Sequence, residues 1–509
     1  MRKNLIELLN IANIEYKKKF GWDKTITRDY FRKHLAKSKY IEQDITKEFG
    51  SFKNFMSEIK YSRKSIDIKK TCKNPHRKKY IITSYVTGAD INKECLESIK
   101  RFCKKEKAKL VLLVESGVNI KDYMPDKEYE NIKDCICTEY VFNKNLTAKD
   151  FYINPQQVNP LTGVNRYGNK NFSLIVGSPK QFMAVVPSRK DILPHLIYST
   201  GTICKVNYRQ TRAGLLSEQD QKLGGLIIET KNDTIFFVRN FEFDENFGFY
   251  DIDKYYGSYF NKKSKKHIVW GDLHAGQEDR VAVDAAIEMS KKMDSIVIHD
   301  FFNGRSTMRH DRNDMIKRLS RKNHEKTLKS ELDYAGRILN DISKKFKNKK
   351  IYIVCSNHDR FLNDYLSRRE FINDEENIVL SCELFVEFYK GKNPIEYYMR
   401  KNFKIDNVFF LDLEESLLLN GIQCGYHSDM GHSGGRGGIK NLDSVYPYSV
   451  IAHSHSPGIF RNTFQAGCLC ELDQYYAKGQ GSKWCHGNAI IHENCTRQMV
   501  LIINGEYKI

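Results

Sequence analysis

An α/β protein with more than one domain is what this sequence predicts, on three observations. Strand–helix–strand spacing is read at residues 80–114 and again at residues 267–300. Five short apolar runs in the second half each stop on Asp, His or Asn, as strands do when they carry polar side chains at their carboxyl ends. At 509 residues the chain is long enough for two or three cores and too long for one.

The bulk numbers fit a folded protein that stays in water. Hydrophobic residues make up 40% and charged residues 29%, which supplies packed cores and is not the composition of a disordered chain. Residues 1–20 mix Leu and Ile with Lys, Glu and Asn and lack the apolar stretch of a signal peptide. No apolar run of about 18 residues occurs anywhere. The expected location is therefore the cytoplasm, with no membrane partner. Lys and Arg exceed Asp and Glu by 83 to 63, a formal charge of +20. Such a field attracts polyanions, DNA first, although a lysine-rich solvated surface gives the same total. The 13 cysteines are scattered and odd in number. Cys135/Cys137 and Cys468/Cys470 form C-x-C pairs, but paired C-x-x-C knuckles are missing, so reduced, buried thiols are expected and a structural zinc site is not. Assembly into a homo-oligomer stays open.

Residues 1–62 read as helices. Leu5, Leu8, Leu9 and Ala12 share one face, Thr27 caps a second helix through Tyr30, Phe31 and Leu35, and residues 45–52 read as helix, tight turn, helix. This stretch resembles the small helix-turn-helix repeats found beside homing endonucleases, through its Thr27-Arg28 start and its Phe49-Gly50-Ser51 turn. The resemblance implies that Arg28, Arg32, Lys33, Lys47 and Lys53 meet DNA phosphates. A helical cap on the next domain is the competing reading. Residues 63–79 form a basic linker. Residues 80–263 form an α/β domain with strands at 80–86, 110–114, 172–176, 226–229 and 234–238, and a helix at 92–106. Within it, the polar stretch Ser199 to Gly214, with Arg209 and Arg212, is either a phosphate clamp or a surface loop. No internal repeat or low-complexity segment is visible.

Residues 264–509 carry the chemistry. The first apolar run ends in Gly271-Asp272-Leu273-His274, the second in His299-Asp300, and the helix between them makes a crossover that delivers both aspartates to one sheet edge. The third ends in Ser356-Asn357-His358-Asp359. The fourth leads to His427 and a glycine-rich segment around Arg436. The fifth ends in His453-Ser454-His455. Carboxylate oxygen, amide oxygen and imidazole nitrogen together suit Mn, Fe or Zn better than Ca. A carboxylate at such an edge can bridge two cations roughly 3.5–4 Å apart.

In that order these blocks resemble the calcineurin-like metallophosphoesterases, with their G-D-x-H, G-D, G-N-H-[DE], His and G-H-x-H signatures, over about residues 265–509. The resemblance implies a β-sandwich flanked by helices. It implies one metal held by Asp272, His274, Asp300 and His455, and a second held by Asp300, Asn357, His427 and His453. It gives His358 the task of stabilising the transition state and protonating the leaving oxygen, with Asp359 either orienting His358 or capping a turn. Arg436, His310 and Arg305 would grip phosphate. Three glycines of the family pattern are replaced, by His299, Ser356 and Ala452, none at a ligating position. Asn303 stands where relatives carry an Asp. The whole chain also resembles the host-DNA-degrading nucleases of T5-like bacteriophages, at residues 178–182, 194–197, 211–214 and 299–310. That implies a metal-dependent DNase acting in a bacterial cytoplasm with two divalent ions, Mn2+ first and Mg2+, Zn2+ or Fe2+ as alternatives. A phosphatase or cyclic-nucleotide phosphodiesterase, and a non-catalytic DNA-binding regulator, are the competing readings.

Overall fold

The computed structural model describes residues 2–20, 26–40, 42–55, 69–71, 78–114, 126–151, 153–154, 156–168, 172–189, 192–258, 264–413, 415–474 and 481–509. Its centre is a sandwich of two mixed sheets of eleven strands each. One sheet runs, edge to edge, through strands 408–410, 350–353, 295–298, 267–270, 487–491, 497–501, 236–242, 224–230, 79–84, 109–113 and 136–137. The other runs through 69–71, 139–143, 146–149, 173–176, 195–199, 183–186, 458–460, 463–465, 449–451, 422–423 and 418–419.

Side-chain alternation explains the layers, because successive residues of a strand face opposite sides. Val269 and Val297 point into the space between the sheets, with Tyr80, Ile82, Val111 and Leu226 from the same sheet and Ile175, Tyr198, Val450 and Phe464 from the other. Their neighbours Ile268, Trp270, Ile296 and Ile298 point the other way, onto the helices Arg280–Ser290 and Leu328–Lys345. Further along the same sheet, Ile81, Leu110, Leu112 and Ile227 pack outward on the helix Lys93–Glu106. Each fully buried Val, Leu or Ile contributes about 1.5–3 kcal/mol, so a sheet covered on both faces holds the rim positions rigidly.

The sequence places the boundary between two α/β domains at residues 263/264, but neither sheet breaks there. Both sheets take strands from both segments, and strand 236–242 pairs directly with 497–501 through Arg239 and Val500. The sandwich expected of residues 264–509 is thus shared with residues 79–258. Short-range patterns found strands near 80–86, 110–114, 172–176, 226–229 and 234–238 and at the five apolar runs, missed others such as 139–143, 146–149, 183–186, 195–199, 487–491 and 497–501, and left long-range pairing unspecified.

The N-terminal helices Arg2–Phe20, Arg28–Leu35 and Glu42–Phe49 close their own core around Leu5, Leu9, Phe31, Ile45, Phe49 and Phe55. Thr27 caps the second helix by accepting from the Tyr30 amide, and Gly50 makes the expected turn at φ +74°. Of the basic linker, Lys69–Thr71 is a strand parallel to Glu139–Asn143. Arg63, Lys64, Lys73 and Arg77 lie outside the described residues, as does the side chain of Arg28. The polar stretch from Ser199 is not a clamp at its start: Ser199, Thr200 and Thr202 are buried, and their hydroxyls donate to backbone carbonyls. Among the described residues no helix is long and apolar enough to cross a membrane.

Candidate metal centre

Five strand ends build the site. Parallel strands 267–270, 295–298 and 350–353 lie side by side in one sheet. Strands 422–423 and 449–451 lie side by side in the facing sheet. Their carboxyl ends bring Asp272, His274, Asp300, Asn357, His427, His453 and His455 together. The chain beyond 267–270 stays extended against Gly467, where a Cβ on Gly271 would stand 2.5 Å from the Gly467 carbonyl. Glycine before Asp272 is therefore a packing requirement.

The distances are those of a tight cluster. His274 Nε2 is 3.1 Å from His455 Nε2 and 3.3 Å from Asp300 Oδ2. His427 Nε2 is 3.3 Å from Asp300 Oδ2, and its Nδ1 is 3.8 Å from Asp272 Oδ1. His455 Nε2 lies 3.3 Å from Asp272 Oδ2, and His453 Nδ1 lies 3.2 Å from Asn357 Oδ1. Asp272, Asp300, His274, His427 and His455 are buried, whereas Asn357, His358 and His453 are half-buried and give the cluster its contact with solvent.

Two observations mark this cluster as more than a packed polar core. Asp272 Oδ2, Asp300 Oδ1 and both ring nitrogens of His427 are buried without a hydrogen-bond partner. Leaving such atoms unsatisfied costs about 1–3 kcal/mol each unless something else meets them. In addition, His274, Asp300, His453 and His455 all take left-handed backbone, at φ +48°, +46°, +76° and +56°. Non-glycine residues held there cost on the order of 1–3 kcal/mol each and concentrate at functional sites. The orphaned atoms and the donor set fit divalent cations. Among the described residues three groups could hold an ion, and all belong to this cluster: Asp272/Asp300/His427, His274/Asp300/His358 and His274/His455/Cys470.

Electrostatics agree. Burial pushes Asp272 up to about 7, with Asp300 beside it adding to the effect. Burial would also raise Asp300, but the His358, His274 and His427 rings hold it well below the usual carboxylate range. Burial keeps His274 down to about 3, His453 to about 4 and His455 well below the ordinary value, so these imidazoles are neutral, the ligating form. Burial works against protonating His427 too, yet the Asp300 carboxylate overrides it and lifts the ring to about 9. Within the cluster, then, the Asp300 carboxylate favours the ionised form and His427 beside it the protonated form.

The neighbours of the cluster resolve several expectations. His358 Nδ1 donates to the Asn303 carbonyl at 2.6 Å, leaving Nε2 for the cluster. Asn303, through its backbone, thus orients His358. Asp359 does not: it accepts from the Ser356 amide at 2.9 Å in the capping box of helix Asn357–Ser367. Arg305 is not a phosphate grip either. It is buried, with Nε on Asp311 and Nη1 on Glu325, both at 2.9 Å, and Nη2 on Ser320 at 2.7 Å. Arg436 and His310 are exposed. Arg32 is held by Glu42, while Lys33, Lys47 and Lys53 are exposed.

Cys470 is the neighbour that sequence reasoning missed. Its buried Sγ lies 3.9 Å from His455 Nδ1, and Trp484 covers the same ring at 4.3 Å between centroids. The C-x-C spacing was the available signal, but such a pair reads equally as core thiols.

Fold and site together define a mixed α/β protein with a buried His/Asp cluster suited to divalent metal. No protein-family model matches the chain. The sequence is 27% identical over 466 residues to Protein A1 of Escherichia phage T5, covering 84% of this chain and 83% of that protein. The similarity is therefore to a bacteriophage protein along most of both chains.

Proposed function

We propose that the chain is a metal-dependent DNA nuclease of the calcineurin-like metallophosphoesterase kind, which degrades host DNA in a bacterial cytoplasm early in phage infection. The observation that carries this reading is the convergence of seven Asp, His and Asn side chains from five strand ends, four of them on left-handed backbone around carboxylate oxygens without partners. Asp272, His274, Asp300 and His455 would hold one ion, and Asp300, Asn357, His427 and His453 the other. Two such ions, Mn2+ in the first instance, supply charge neutralisation at the phosphoryl oxygens and a water acidic enough to attack at neutral pH.

The chain's own groups do the rest. Half-buried His358, fixed through Nδ1 by the Asn303 carbonyl, presents Nε2 to the departing O3′ or O5′ and donates a hydrogen bond or proton to it. Arg436 and His310, both exposed, would meet flanking phosphates. The formal charge of +20 and the exposed lysines of the N-terminal helices draw the duplex in. Relationship to a bacteriophage protein supports the setting.

The test is a cleavage screen. Purified protein is incubated with supercoiled plasmid and with end-labelled linear DNA, single- and double-stranded, in Mn2+, Mg2+ and Zn2+. Metal-dependent breaks are expected. Intact DNA in every lane, with p-nitrophenyl phosphate hydrolysed, would replace this reading with a phosphatase.

A further inference from the structure

We infer that residues 79–258 and residues 264–509 are two copies of one fold, that the first copy has no metal centre, and that the seam between them takes the place of a dimer interface. The duplication is independent of the nuclease reading; the count of metal ions rests on it.

Strand order carries the inference. In one sheet, strands 79–84, 109–113 and 136–137 are parallel neighbours, and 79–84 pairs antiparallel with the hairpin 224–230/236–242. Strands 267–270, 295–298 and 350–353 are parallel neighbours in the same way, and 267–270 pairs antiparallel with the hairpin 487–491/497–501. In the other sheet, 139–143 is antiparallel to 146–149, which is parallel to 173–176, then to 195–199, which is antiparallel to 183–186. Strands 418–419, 422–423, 449–451, 463–465 and 458–460 repeat that series without exception. The two series meet through antiparallel pairs in both sheets, 236–242 with 497–501 and 183–186 with 458–460. Antiparallel junctions at both centres make the relation a pseudo-twofold, so the rims that correspond face opposite ends of the sandwich.

Single contacts repeat as well. Ser84 bridges Thr202 as Asp272 bridges Cys468, Thr202 bridges Leu223 as Cys468 bridges His486, and Ile91 bridges Cys204 as Glu278 bridges Cys470. The Asn92 amide donates to the Ile203 carbonyl at 2.8 Å, and the Asp279 amide to the Leu469 carbonyl at 2.8 Å; each residue then caps the next helix with its side chain. The Lys222 amide donates to Pro179 as the Cys485 amide donates to His455. These equivalences read out the lost ligands. Ser84 stands for Asp272 and Pro179 for His455. The Tyr85 amide donates to Leu113 as the Leu273 amide donates to His299, which sets Val114 in the place of Asp300. Pro and Val offer no donor atom, the Ser84 hydroxyl is spent on the Gly201 carbonyl at 2.7 Å, and the His, Cys, Asp and Glu groups fit for a metal among the described residues are confined to the second copy.

The experiment uses the full chain. A protease site is inserted between Ser258 and Ser264, the protein is reconstituted with Mn2+, and metal is counted by mass spectrometry before and after cutting. Two ions per chain are expected, both retained in Ser84→Ala and both lost in Asp300→Asn. Four ions per chain, or ions retained in Asp300→Asn, would overturn the single centre. No ions in wild type would remove the metal reading and leave the duplication to the second measurement. In light scattering, intact and nicked protein are both expected at 59.5 kDa, since the pieces stay joined through two sheets. Separation of the nicked pieces into folded particles, or a doubled mass for the intact chain, would overturn the seam.

Discussion

Ser84, closing strand 79–84, turns its hydroxyl back onto the Gly201 carbonyl at 2.7 Å. Asp272, at the matching position, leaves Oδ2 buried without a hydrogen-bond partner. The contrast extends along the two rims. Thr200 and Thr202 satisfy themselves on backbone in the first copy, and its rim residues at positive φ, Gly88 and Gly201, are glycines. The second rim puts two His–x–His residues, an Asp and another His into that conformation. One topology thus exists with and without strain. The strain belongs to the site and is not a by-product of the sandwich. The comparison also speaks to Cys470: its counterpart Cys204 is equally buried, in a copy without ligands, and its sulfur accepts from the Val86 amide. A small, weakly polar core residue suits that position whether or not a metal is near.

The largest effect should come from deleting the contrast. Asp300→Ala removes the carboxylate shared by both proposed cation sites and is expected to abolish DNA cleavage, a fall of at least about three orders of magnitude, and to empty the metal centre. Val114→Ala, in the matching place of the first copy, should change stability alone; initial rates beside metal content distinguish them. Next, His358→Ala should keep both ions and lower turnover by about 10²–10⁴-fold, with its limb of the pH–rate profile removed. Loss of metal in that variant would make His358 a ligand instead.

Arg305→Met sharpens what supports the rim. Breaking this buried network strands Asp311 and Glu325 and is expected to cost about 3–5 kcal/mol in urea unfolding. Glu331 accepts from the Arg305 and Ser306 amides at 2.8 and 2.9 Å, and burial pushes its carboxyl up to about 7. A raised value means that the folded state binds the proton more tightly than the unfolded chain. The associated stability is full below about 4.5 and is lost as pH climbs to about 7, amounting to about 3 kcal/mol. Glu331→Gln should flatten the metal-free stability curve by that amount across this window. An unchanged slope would place the titration elsewhere.

The residues of the His/Asp cluster were legible in the sequence because each follows a short apolar run, and such runs are recognised locally. Thr27 and Gly50 were legible for the same reason, since caps and tight turns are local chemistry. The duplication was not. Its two copies share hydrogen-bond geometry at Asn92 and Asp279 but hardly any residue identities at the rim, and pairing between strands 236–242 and 497–501 leaves no trace in either run. Arg305 and Asp359 misled in a different way. An Arg or Asp beside a ligand motif can face substrate or hold a loop, and its choice depends on partners such as Glu325, distant in sequence.

The smallest effect tests a third region against both copies. Residues 1–78 hold 21 Lys and Arg against 9 Asp and Glu, so this segment carries more than half of the formal charge of +20. If that region binds DNA phosphates while the second copy cuts, the two tasks separate. The triple change Lys33→Gln, Lys47→Gln and Lys53→Gln should weaken DNA binding equally for all sequences and reduce the salt-dependence slope by roughly one for each lysine. Cleavage at saturating DNA should hold within a factor of about two, because phosphate contacts of this kind position the duplex and do not enter the reaction. An unaltered slope would make the helices a cap on the sandwich and move DNA capture to the rim around Arg436.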